Sequence, residues 1–113
     1  MEIPVQKENK LDDGIYTGKI TDIEYRDDPY KYTDVIIEMK DGMRVKAGYP
    51  TIITKGSKLG KLLRRFGTAI IEGKSIDPDK ILIGKRAQFQ TTTEETSKGS
   101  FYKVIQDSVK PLE

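Results

Sequence analysis

The sequence predicts a mainly β domain, a five-stranded barrel with one helix between its third and fourth strands. Three observations carry that expectation. Five segments are rich in β-branched and aromatic residues, with a period near two, and are bounded by Gly, Pro or Asp. One segment instead carries an apolar stripe of helical period. The resulting order, β-β-β-α-β-β, would leave long unpaired edges in an open sheet, and closure into a small barrel removes most of them.

The first strand opens after Asp13-Gly14 and runs over residues 15–26, with Ile15, Tyr16, Thr17, Ile20, Thr21, Ile23 and Tyr25. Its alternation falters near Gly18, as expected of a bulge or bend in a strand shared by both halves of a barrel. Residues 27–31, with Pro29, form a loop. In the second strand, residues 32–40, Thr33, Val35, Ile37 and Met39 alternate with Tyr32, Asp34, Ile36 and Glu38. Asp41-Gly42 is a strong hairpin signal, and the third strand, residues 43–49, sets Met43, Val45, Ala47 and Tyr49 against Arg44, Lys46 and Gly48. Leu59, Leu62, Leu63 and Phe66 then fall at i, i+3, i+4 and i+7, with Ser57 as N-cap and Gly67 as stop. Asp77-Pro78-Asp79-Lys80 reads as a capped turn. Residues 85–93 and 101–106 give the last two strands around a polar loop at 94–100. Residues 1–12 read as a flexible arm, 13–106 as the domain and 107–113 as a tail.

A helix that plugs one end of such a barrel is the OB arrangement; another small barrel, such as an SH3-like one, or an α+β roll are the alternatives. The run Gly14-x-Tyr16 with Ile20 and Glu24, the Lys61-Leu62-Leu63-x-x-Phe66-Gly67 helix end, and Gly73, Ile76-Asp77, Leu82, Gly84-Lys85 and Phe89 occur here in that order. In this the chain resembles small OB-fold proteins of phages and mobile elements thought to bind single-stranded DNA. The resemblance spans about residues 14–105. It implies an accessory role in replication or recombination and assigns no residue.

Charge is distributed unevenly. Residues 1–41 hold 11 acids and 6 bases, residues 42–71 hold 7 bases and no acid, and residues 72–113 hold 7 of each. A 30-residue stretch without Asp or Glu suits a polyanionic partner. With no His and no Cys, the commonest general base, the thiol nucleophile and the usual transition-metal ligands are missing. Asp27-Asp28 and Glu94-Glu95 read as solvated loop charge. Gly56-Ser57-Lys58 lacks the upstream glycine of a phosphate loop, and capping accounts for Ser57. The expectation is a non-enzymatic, cytoplasmic protein, virus- or plasmid-encoded, with no cofactor, no metal and no membrane span.

In OB barrels the ligand crosses the outer face of strands two and three, between the loops joining strands 1–2 and 4–5. That frame selects Tyr30, Lys31, Tyr32, Arg44, Lys46, Lys98, Phe101 and Lys103 as nucleic-acid-binding residues: rings on which bases stack, and cations for phosphates. RNA would meet the same chemistry as DNA. The parity of the fifth strand is open, because placing Lys103 outside carries Phe101 and Ile105 with it. Asp34 and Glu38 share the outer face, where ion pairs with Arg44 or Lys46 are the alternative use of those cations. Lys58, Lys61 and Arg65 on the helix offer a second surface to a protein partner. A module binding a replication or transcription partner, favoured by an exposed Ile36 and by the acidic first third of the chain, is the rival function. The nucleic-acid assignment requires that the sheet curl shut and so gather these side chains along one outer channel.

Overall fold

The computed structural model describes residues 1–3 and 11–112. Most of the expected arm, residues 4–10, lies outside the described residues. The chain is mainly β, with a single antiparallel sheet. Its strands are β1 (Gly14–Arg26), β2 (Tyr32–Glu38), β3 (Arg44–Pro50), β4 (Arg86–Thr96), β5 (Gly99–Val104) and β6 (Lys110–Pro111). Two helices, α1 (Lys58–Arg65) and α2 (Pro78–Leu82), lie between β3 and β4. The capped turn expected at 77–80 is therefore a short helix, with the Asp77 side chain accepting from the Asp79 amide and Pro78 at its first position.

β1 organises the sheet because its two halves pair with different strands. Gly14 to Lys19 pair with β4, and Lys19 to Arg26 pair with β2. The register slips between Ile20 and Asp22, so the extra residue, Thr21, inverts the alternation and lets both Ile20 and Ile23 face the core. The irregularity expected at Gly18 thus sits three residues later. Gly18 serves a different purpose, since a Cβ there would lie 2.7 Å from the Glu38 carbonyl oxygen. Only glycine admits so close an approach of β1 and β2.

The sheet order is β3-β2-β1-β4-β5, with β6 on β4. No backbone rung joins β3 to β5, so the closed barrel expected from the sequence is corrected to an open ladder. Side chains bridge the two edges instead. The Tyr49 hydroxyl of β3 donates to the Gln106 carbonyl just beyond β5 (2.9 Å), and the Gln106 amide donates to the Gly48 carbonyl (2.7 Å). Burial raises the Tyr49 hydroxyl well above its ordinary pKa of 10.0, which keeps it a neutral donor.

The core lies inside this curl. Val35, Ile37, Val45, Ala47, Tyr49, Ala87 and Phe89 line it, and Leu59, Leu62 and Leu63 of α1 cover it. Each such leucine contributes roughly 1.5–3 kcal/mol by leaving water. Ser57 caps α1 through the Gly60 amide (3.0 Å), and Gly67, at φ +91°, ends it, with Gly67 and Thr68 amides donating to the Arg64 and Leu63 carbonyls. The C-terminal residues are not a tail. Gln106–Ser108 form a 3-10 turn, Val109 is fully buried, and β6 pairs Pro111 and Lys110 with Ala87 and Gln88. At the other boundary Leu11, inside the expected arm, packs on the core. Among the described residues, no helix is long and apolar enough to cross a membrane.

Candidate nucleic-acid interface

The inward set of β2 and β3 is as expected, but the outward set is more buried than its polarity suggests. Asp34 has no exposed side-chain surface, and Ile36 is 5% exposed. The exposed Ile36 of the rival function is thus corrected. Asp34 is held by the Arg26 guanidinium at the end of β1, through Nε and through Nη2 (2.9 Å). Gly48, directly across from Asp34 on β3, makes the arrangement fit: a Cβ there would lie 3.0 Å from Asp34 Oδ1 and 3.2 Å from the Tyr32 ring. The same guanidinium carbon lies 5.1 Å from the centre of the Tyr32 ring, a cation–π stack that fixes the ring's orientation.

Beside this cluster a concavity of about 490 Å³ opens between β3 and the end of β5. Tyr32, Lys46 and Gly48 line one side, Lys103 to Asp107 the other, and Lys58 from the start of α1 the end. Three of the eight expected residues, Tyr32, Lys46 and Lys103, therefore converge from three strands. In β5, Tyr102 and Val104 turn inward while Phe101 and Lys103 turn outward, which resolves the open parity.

The other five stand apart from the concavity. Arg44 is two residues from Lys46 on the same face of β3, and Phe101 stands likewise to Lys103; Phe101 is 54% exposed. Tyr30 and Lys31 occupy the exposed loop before β2. Lys98 lies at the tip of a tight turn, because β4 and β5 pair out to Thr96 and Gly99, where the sequence suggested a seven-residue loop.

Each lysine of the concavity has a carboxylate. Lys46 lies 3.6 Å from Glu24 and 3.9 Å from Asp34, Lys103 lies 3.3 Å from Glu94, and Lys58 lies 2.8 Å from Asp107. The Lys58 bond holds the Asp107 carboxyl below its ordinary value of 3.8. Apart from Asp34 all these groups are about half exposed, so each such pair is worth about 0–1 kcal/mol and opens readily. The basic helix is divided in its duties. Arg65 donates to the Val109 carbonyl (2.6 Å) and Lys58 binds Asp107, both fastening the C-terminal segment, while Lys61 is exposed.

Arg26, Gly48, Gln106 and Asp107 were not legible as site residues, and Lys58 was legible only as helix charge. Their roles follow from cross-strand register and from the return of the C-terminus, neither of which a local pattern encodes. No family model matches the chain, and no curated protein matches it significantly.

Proposed function

We propose that this is an OB-type fold, its open sheet bridged by side chains between β3 and the end of β5, whose outer concavity binds single-stranded nucleic acid in the cytoplasm without catalysis, as an accessory in replication or recombination. The observation that carries the reading is the convergence of Tyr32, Lys46, Lys58 and Lys103 on one concavity. A base stacks on the free side of the Tyr32 ring, whose other face is backed by Arg26. The lysines exchange their half-exposed carboxylates for phosphates, at little cost in stability. The long β1 divided between β4 and β2, and the α1 leucines across one end, support the OB type. The order of short motifs in which the chain resembles phage-type single-strand binders supports it. The rival protein-docking role loses the exposed Ile36 and keeps only the acidic first third of the chain.

Fluorescence anisotropy with a labelled oligothymidylate tests the proposal. Saturable binding is expected, and the double variant Lys46→Gln, Lys103→Gln weakens it about tenfold while the thermal midpoint holds. Absence of saturable binding at low salt, or indifference to the double variant, contradicts it.

A further inference from the structure

Across the middle of the sheet the register sets four charged residues in one row on the outer face. Arg44 of β3 pairs with Glu38 of β2, Glu38 with Lys19 of β1, and Lys19 with Arg86 of β4. Residues paired across antiparallel strands point to the same side, and all four are exposed. Lys19 and Arg86 are thus like charges directly opposite one another, an arrangement that destabilises a sheet. Lys40, from the β2–β3 turn, brings a third cation to the same place. Lys19, Lys40 and Arg86, together with Thr17, Thr21 and Glu38, line a concavity of about 500 Å³. Among the described residues none of these cations is within ion-pair distance of a carboxylate, Glu38 included. The Thr21 hydroxyl, displaced by the bulge, is buried without a hydrogen-bond partner.

From this row we infer a second phosphate-binding site, formed by Lys19, Lys40 and Arg86. It rests on the proposed nucleic-acid function and extends it: one single strand leaves the groove past Lys46 and Arg44 and continues across β2 and β1 to this site. The row crosses four strands, about 14 Å at the usual strand spacing, and Arg44 joins it to the groove because it lies two residues from Lys46 on the same face of β3. A phosphodiester between Lys19 and Arg86 relieves their repulsion, which no described carboxylate does. The ligand class is therefore a polyanion long enough to reach both places, and a short strand occupies only the groove.

Oligothymidylates of about 4 and about 16 nucleotides, the two ends of the range for one such module, separate the sites. The double variant Lys19→Gln, Arg86→Gln is expected to bind the short strand as the natural protein does. On the long strand its slope of log affinity against log salt falls by about 1.4, the loss of two phosphate contacts at about 0.7 each. Equal weakening on both lengths, or no change on the long strand, overturns the second site. Failure of the natural protein to bind either strand overturns the underlying proposal instead.

Discussion

Two stretches of the same outer face handle positive charge in opposite ways. At the groove, Lys46, Lys58 and Lys103 each stand 2.8–3.6 Å from a carboxylate, and beneath them Arg26 neutralises the buried Asp34. In the row across β1 and β4, Lys19 and Arg86 oppose one another, and the described residues supply no ion pair. The first region can stand without a ligand, since its cations also fasten β1 to β2 and the C-terminal segment to α1. In the second, among the described residues, two like charges oppose one another with no carboxylate within ion-pair distance of either. Within the groove there is a further gradation. The Arg26–Asp34 pair cannot open without stranding a carboxylate from which water is excluded, whereas the half-exposed lysine pairs can exchange partners. On the proposed reading, recognition falls to the loosely held cations and rigidity to the tightly held one.

The largest effect expected from breaking this contrast is at Asp34. Asp34→Ala removes two charge-assisted hydrogen bonds and should lower unfolding free energy by about 2–3 kcal/mol in urea titration, whereas Glu94→Ala, which frees Lys103, should change it by less than about 1 kcal/mol. Equal costs at the two positions would erase the distinction. A smaller effect of opposite sign is expected in the row. Lys19→Gln relieves a like-charge cross-strand pair and should raise stability by about 0.3 kcal/mol at low salt, with the gain fading as salt is added. The smallest is at Asp107. Its folded-state carboxyl titrates below 3.8, so the stability it adds is present above that value and is lost as pH falls through the lower folded value. The difference in thermal midpoint between the natural protein and Asp107→Asn should therefore be largest near neutrality and shrink on acidification below about 4.

The sequence made the locally encoded parts of the fold legible. The α1 stripe, its Ser57 and Gly67 boundaries, and the β2–β3 hairpin depend on neighbours a few residues apart, and each forms where the pattern places it. What stayed hidden depends on residues far apart in the chain. The bulge at Thr21 arises because β1 must leave β4 and join β2, and the steric demand at Gly18 comes from Glu38, twenty positions away. Asp34 looked like solvated surface because its burial needs Gly48 opposite and Arg26 alongside. The C-terminal residues looked like a tail because their partners, Arg65, Lys58 and Ala87, are distant in sequence. The same limit held for the site. Lys46 and Lys103 followed from strand parity, but their meeting with Lys58 and Asp107 needed the turn that follows β5.

An amide chemical-shift titration with a short oligothymidylate reports the binding surface directly. The account predicts that the largest changes fall on Tyr32, Lys46, Lys103 and Gln106, around the concavity between β3 and the end of β5. Changes concentrated elsewhere, as on the exposed Ile52 and Ile71 loops at the far ends of β3 and α1, would contradict it.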